Sequence, residues 1–353
     1  MDSEEYTPLS ELPVTCEQVE HCAYSFWYEK FKSHIPKTRI IKPLPQQFIQ
    51  YLEQDGIKLP ISSNELSSYT DDIVRSEENE YSDWEADEDT ATEYEPGIEP
   101  LNDFPEFHQQ LKDIISELGP VTPKLNWSAP KDATWILPNN TMKCNEVNEI
   151  YLLLNASNYI VHDLEHAFDE CVDKKQGEPE YELILRQWFN INPALEFRVF
   201  VKDGKVVGAT QRDLNYYDYL EKLSDTLKDL IDEFVEDVVV PGFPDKSFVI
   251  DLYIPRPFNR VYLIDINPFA RKTDSHLFTW NEIIEIDTTE DKDYEMRLVT
   301  EHNTGRFASK EHSQNHVPKD VVDASLDPEK IKELTEKWSE MLLKQQQDVS
   351  DEE

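Results

Sequence analysis

Two apolar runs, 248–254 and 261–267, constrain this chain more than any other feature of its sequence. Each is too short for an ordinary helix and rich in β-branched and aromatic residues, so each reads as a buried strand. A short turn containing Pro255, Arg256 and Pro257 joins them, so they pair antiparallel. Acids interrupt both runs. Side chains alternate along a strand, which puts Asp265 and Asn267 on one face. With the turn centred on Phe258, Asp251 lies directly opposite Asp265. Two carboxylates and an amide oxygen then converge on one face of a sheet. Hard oxygen ligands of this kind suit Mg2+, with phosphates and waters completing the shell. Their neighbours Phe248, Ile250, Leu252, Leu263, Ile264 and Ile266 make unpaired carboxylates costly. A cation accounts for the acids, and so does pairing with Arg or Lys. Spacing leaves both readings open.

Further strands come before this pair. Leu183-Ile184-Leu185 is a short buried run, and 197–211 is a hairpin with Asp203-Gly204 as its two-residue turn. In the hairpin Glu196, Arg198 and Phe200 share one face, and Phe197, Val199 and Val201 the other. Charges among aromatics indicate either a ligand cleft or a solvated sheet face. Arg186-Gln187-Trp188 precedes the hairpin and Arg212-Asp213 follows it.

Helices alternate with these strands. Thr15 and Gln18 make a capping box ahead of Val19, Cys22, Ala23, Phe26 and Trp27. A short helix after Pro43 and Pro45 carries Phe48, Ile49 and Leu52 and ends at Asp55-Gly56. Phe104, Phe107, Leu111, Ile114, Ile115 and Leu118 form one stripe, stopped by Gly119-Pro120. One helix or two short ones occupy 145–170. A long helix is expected over 214–239, and a last one after Asp327-Pro328, bearing Ile331, Leu334 and Trp338. With 16 Phe, 16 Tyr and 7 Trp to bury, most of the chain must fold. The expected class is α+β, with antiparallel sheets flanked by helices.

Charge narrows the function. The chain carries 73 acidic and 34 basic residues, a formal net charge of −39. Such a field repels phosphate backbones and anionic membranes, so direct binding to nucleic acid or membrane is not expected. A basic surface on a partner protein fits it better. Any nucleotide site must gather cations locally. No run approaches the roughly 18 apolar residues of a membrane span. Residues 1–5 have neither a basic nor an apolar run, so no signal peptide is expected. Cys16, Cys22, Cys144 and Cys171 form no C-x-x-C pair and read as free thiols of a reducing, cytoplasmic setting. No Lys or Arg occurs between Arg75 and Lys112, and 65–100 reads as an acidic, disordered insertion.

A second candidate segment is Lys124-Leu-Asn-Trp-Ser-Ala-Pro-Lys-Asp132. A lysine on a strand can hold phosphate oxygens as a point charge, and the small residues after it let a loop approach a ligand. The alternative is a surface lysine beside a buried tryptophan. Other chemistries lack their motifs. His162-Asp163-Leu164-Glu165-His166 has zinc-compatible histidine spacing, but Asp stands where the zincin pattern needs Glu, and a solvated helix face is expected. Lys202-Asp203-Gly204 lacks the intervening residue of a Lys-x-Asp-Gly nucleophile motif. The eight glycines form no P-loop, and kinase signatures are missing.

Taken together, Lys124–Asp132, Glu196-Phe-Arg198, Gln211-Arg-Asp213, Asp251 and Ile264-Asp-Ile-Asn-Pro-Phe269 resemble the cell-division-cycle 123 (D123) family. Tyr24-Ser-Phe-Trp27 and Gln50-Tyr-Leu-Glu-Gln-Asp-Gly56 fit it too, so the likeness covers roughly 14–290. The resemblance implies a two-lobed ATP-grasp-like fold that clasps ATP between antiparallel sheets. It implies binding to the gamma subunit of eukaryotic translation initiation factor two, assembly of that trimer, and a link to the cell cycle. Carried over residue by residue, Lys124 touches phosphates, and Ala129 and Asp132 lie in the loop over the nucleotide. Arg186, Gln187 and Trp188 form the connecting segment beside adenine. Glu196 takes the ribose, and Arg198 and Arg212 the phosphates. Asp251, Asp265 and Asn267 hold Mg2+.

The resemblance also implies an organisation into lobes. Residues 1–64 are the helical start of the first lobe, 65–100 the insertion and 101–185 the rest of that lobe. Residues 186–290 are the second lobe and 291–353 a C-terminal extension. The protein is expected to be monomeric alone. ATP-grasp enzymes often carry Glu where Asp251 and Asp265 stand, and this leaves two functions open. One is a nucleotide-dependent assembly chaperone. The other is a ligase or phosphotransferase that forms an acyl-phosphate.

Overall fold

A computed structural model describes residues 12–54, 59, 98–177, 179–289 and 293–300. The expected acidic insertion, except its last residues, the Asp55-Gly56 helix stop and the helix after Asp327 lie outside the described residues. The elements, in order, are α1 (Cys16–His21), α2 (Tyr24–Phe31), β1 (Thr38–Ile41), α3 (Gln46–Glu53), α4 (Pro100–Asp103), α5 (Pro105–Leu118) and β2 (Val121–Lys124). Then follow α6 (Val147–Asn155), α7 (Asn158–Glu165), β3 (Leu183–Gln187), β4 (Glu196–Lys202), β5 (Lys205–Gln211) and α8 (Ser224–Phe234). The last are α9 (Val240–Gly242), β6 (Phe248–Tyr253), β7 (Tyr262–Pro268), α10 (Trp280–Glu285) and β8 (Glu295–Arg297).

The strands form two sheets. One has the order β1-β3-β2 and is antiparallel throughout. The other has the order β7-β6-β4-β5-β8, antiparallel except where β8 joins β5 in parallel. The α+β class therefore holds. The hairpin turn is as expected: Asp203 and Gly204 have φ of 54° and 78°, the paired positive values of a type I′ turn. The faces also separate as alternation predicts. Phe197, Val199 and Val201 join one core with Trp27, Phe31, Ile231 and Phe234, while Phe200 joins another with Val249, Phe278 and Trp280. The three-stranded sheet has its own core, in which Phe48, Phe104, Phe107 and Tyr151 pack ring against ring.

Three expectations need correction. The first helix breaks at Ala23, whose ψ of 137° is extended. The next N–H, of Tyr24, donates 3.0 Å to the Asn126 carbonyl, so a tertiary bond replaces a helical one. Residues 214–220 are not helical. Asp213 accepts at one oxygen from the Asn215 N–H (2.8 Å) and the Tyr217 hydroxyl (3.1 Å), and this local turn competes with helix. The helix settles as α8 and widens to a π-turn over Val235–Val239 ahead of Pro241, which lacks a donor and crowds the preceding turn. Finally, β8 adds a strand from the segment expected to be an extension. Among the described residues, no helix is long and apolar enough to cross a membrane.

Candidate functional site

Register brings the acids together. Asp251 on β6 pairs with Asp265 on β7, as the turn arithmetic requires, and Arg198 on β4 pairs with Asp251 from the other side. Asn267 pairs with Val249, one step along the same face. Just before Asp265 in the chain the register slips, leaving Ile264 as an extra residue in β7. Bulges re-aim backbone groups, and here the Ile264 carbonyl accepts from Arg186 Nη1 of β3 at 3.3 Å. Lys124, at the end of β2, reaches across too: its Nζ donates to Asp265 Oδ2 at 2.8 Å and to the Trp127 carbonyl. The two sheets thus meet along β7.

Asp251 is almost sealed. Both of its oxygens accept from Arg198, Nε and Nη2 at 2.8 Å each. Arg212 Nε stands 3.3 Å from Oδ2, too poorly aligned for a hydrogen bond. Burial alone would raise the Asp251 pKa, but Arg198 and Arg212 overcome it and hold the carboxyl far below its usual range. Arg212 also grips Glu196 (2.8 Å), whose pKa is lowered because that arginine and Lys131 outweigh its burial. Arg198 reaches on to the Asp274 carbonyl at 2.7 Å.

Lys131 is a site residue that the sequence patterns did not single out, although it stands beside Asp132. Partly buried, it has its pKa lowered to about 8, by desolvation first and Arg212 second. Asp132 plays a bracing part. Its carboxylate accepts from Ser157 Oγ (2.5 Å) and the Asn158 N–H (2.8 Å), tying the loop to the start of α7. The Ala129 carbonyl accepts from the Lys131 N–H at 2.7 Å, shaping that loop. Gln187 and Trp188 donate their N–H groups to Lys37 and Pro120 carbonyls, 2.8 Å each, so a ligand here would not meet free donors at those two positions.

The histidine-flanked segment on α7 also matters differently from expectation. Asp163, buried, accepts from the N–H groups of Trp127 (3.2 Å) and Ser128 (2.7 Å) and from Ser128 Oγ (2.7 Å). Burial pushes its pKa up to about 6 against those bonds. It supports the Lys124 loop from beneath. The only sign of this in the sequence is an acid at an apolar position of a short helix.

Residues of this site suit Mg2+ in part. Asp265 is engaged by one lysine and its neighbour's N–H, and the Asn267 amide nitrogen is buried with no partner. A carboxylate with lone pairs to spare beside an unsatisfied amide, readable with its oxygen in the same place, is a fitting pair of oxygen donors. Asp251, clamped by Arg198, fits less well as it stands.

The D123 family model matches residues 27–325. The chain belongs to the D123 family. It is 80% identical to "Cell division cycle protein 123" of Candida glabrata, over 99% of each chain. It is 57% identical to "Translation initiation factor eIF2 assembly protein" of Vanderwaltozyma polyspora, over 97% of this chain and 96% of that one. The solved structure of Cdc123 from Schizosaccharomyces pombe is 36% identical, with a TM-score of 0.66 over 82% of this chain and 99% of that chain.

Proposed function

We propose that this protein binds ATP with Mg2+ between its two sheets, in an ATP-grasp-like manner, and in that state binds the gamma subunit of translation initiation factor eIF2 to promote assembly of the trimer in the cytoplasm. One observation carries the nucleotide reading. A chain of net charge −39 gathers Lys124, Lys131, Arg198 and Arg212 into one partly buried cluster between sheets. Asp265, Asp251 and Glu196 pair three of these cations, and the fourth, Lys131, leaves an excess of positive charge that suits an added anion. The eIF2 reading rests on the name that two close relatives carry and on their coverage of nearly the whole chain.

In this reading Lys124 and Lys131 approach the phosphates from the first sheet and its loop. Arg198 and Arg212, fixed by Asp251 and Glu196, approach from the second. Asp265 and Asn267 hold the Mg2+, which offsets phosphate charge when bound. Asp251 would add to that set only if Arg198, which now holds both of its oxygens, were released to phosphate. Glu196 takes the ribose, and the segment Arg186 to Trp188 borders the base.

Calorimetry with ATP tests this, with Mg2+ and with EDTA, on the wild type and Asp265→Ala. Metal-dependent binding that drops at least tenfold in the variant is expected. Equal affinity in both sinks the metal assignment. Capture of purified gamma subunit with and without ATP tests the second half. ADP release with a modified acceptor would replace assembly by group transfer.

A further inference from the structure

Among the described residues, one group of three side chains outside this cleft has the composition of a metal site: Cys16, Cys171 and Asp173, whose ligand atoms all lie within 4.8 Å of one another. We propose that these three residues bind a thiophilic divalent cation of the Zn2+ class, tying the start of α1 to the segment that follows α7.

The backbone holds the group together before any ion arrives. Val14 and Cys171 form an isolated parallel bridge, and the Val172 N–H donates to the Val14 carbonyl at 2.9 Å. The Cys16 N–H donates 2.8 Å to Asp173 Oδ1, fixing that carboxylate beside the thiol. Cys16 Sγ in turn lies 3.4 Å from the Asp173 carbonyl. Tetrahedral Zn2+ with sulfur and oxygen ligands needs its donor atoms about 3.3–3.8 Å apart. The group needs only a small contraction, and water can take the fourth position.

Donor chemistry selects the ion. Two thiolates and one carboxylate disfavour Mg2+ and Ca2+ and favour Zn2+. On binding, each thiol S–H bond breaks, a sulfur–metal bond forms, and the proton passes to buffer. Two thiolates and a carboxylate around a divalent ion leave one negative charge. Lys175 acts electrostatically on the Cys16 thiol and Lys272 on that of Cys171, and both offset it. Cys171 is half-buried and Asp173 exposed, so an ion has a way in.

The site would reach the cleft through α1. Trp127 donates its indole N–H 2.8 Å to the Val19 carbonyl of α1, and its own carbonyl receives Lys124. Trp127, Cys171 and Val19 also belong to one small apolar cluster. Fixing Cys16 therefore steadies the loop that positions Lys124.

Co2+ is the probe, titrated into the reduced, chelator-stripped full chain. A near-ultraviolet thiolate-to-cobalt band should grow to a single equivalent and bleach when Zn2+ is added. Cys16→Ser and Cys171→Ser should each abolish the band, and Cys144→Ser should keep it. Asp173→Asn alters an exposed side chain and should weaken Co2+ binding at least tenfold. Zn2+ should raise the Tm of the wild type and not of Asp173→Asn. Absence of the band in the wild type overturns the proposal, and so does its survival in Cys171→Ser. A Cys16–Cys171 disulfide that forms under glutathione disulfide in a chain showing no band also overturns it.

Discussion

The two ends of the charged cluster, which meet where Asp251 pairs with Asp265, are built by different means. At one end Glu196, Arg198 and Asp251 stand on neighbouring strands, and their charges close on one another; the Asp251 side chain is 2% exposed. At the other end Lys124 closes the end of a short strand, and Asp265 follows a bulge. The Asp265 side chain is 18% exposed, and the adjacent Asn267 amide lacks a partner. Strand pairing fixes the first end to within the pleat of the sheet. The second depends on a loop, 125–132, that is braced from α7 and α1. A sealed end can anchor charge, and an incompletely satisfied end can accept a ligand.

Substitutions can break this contrast. Asp251→Ala leaves the buried Arg198 without its acid, and Arg212 with Glu196 alone, and should destabilise by about 3–5 kcal/mol in urea unfolding. Asp265→Ala should cost less than about 1.5 kcal/mol, because Lys124 keeps the Trp127 carbonyl. Equal costs would dissolve the distinction between the ends.

Asp163→Ala probes the brace. Loss of its bonds to Trp127 and Ser128 should cost about 1–3 kcal/mol near neutral pH. The pH dependence has a definite sign. Folding raises the Asp163 pKa from 3.8 to about 6, so the folded state holds the extra proton between those values. The stability Asp163 contributes is greatest below the lower value and falls as pH rises through the upper one. The penalty of the variant should therefore be larger at acid pH, by up to roughly 3 kcal/mol. Paired denaturation curves at the two pH values measure it.

Lys131→Met should weaken ATP binding about tenfold, roughly 1.4 kcal/mol, and leave unfolding nearly unchanged, since it removes a cation that burial penalises. The smallest effect is expected at Thr15, whose side chain caps α1 in a reciprocal box with Gln18. Thr15→Ala should cost about 1 kcal/mol, read as a shift in Tm. A larger loss of ATP affinity than of stability would show that α1 sharpens the loop end.

The strand-built end is the more legible one in the sequence. Alternation places Arg198 against Phe197 and Val199, and a turn centred on Phe258 sets Asp251 opposite Asp265. Periodicity also locates α5 and its stop at Gly119, whose φ of 75° favours glycine. The loop-built end is less legible because its partners are distant in sequence. Nothing near Asp163 announces that Trp127 and Ser128 will need an acceptor. Lys131 looks like one charge among many until burial distinguishes it. Likewise β8 is too short to have a pattern, and its place is set by the edge of β5.

The ring packing of α2 bears on how the chain is made. Tyr24, Trp27, Tyr28 and Phe31 leave the ribosome well before Phe248, Ile250 and Ile266, which belong to the core that buries them. Synthesis runs at roughly 5–20 residues per second, so these aromatics wait on the order of 10–50 s for their partners. The three-stranded sheet closes sooner, because β3 completes it near the middle of the chain. Through that interval the four aromatics of α2 lack the strands that later cover them, so this core is completed last by β6 and β7.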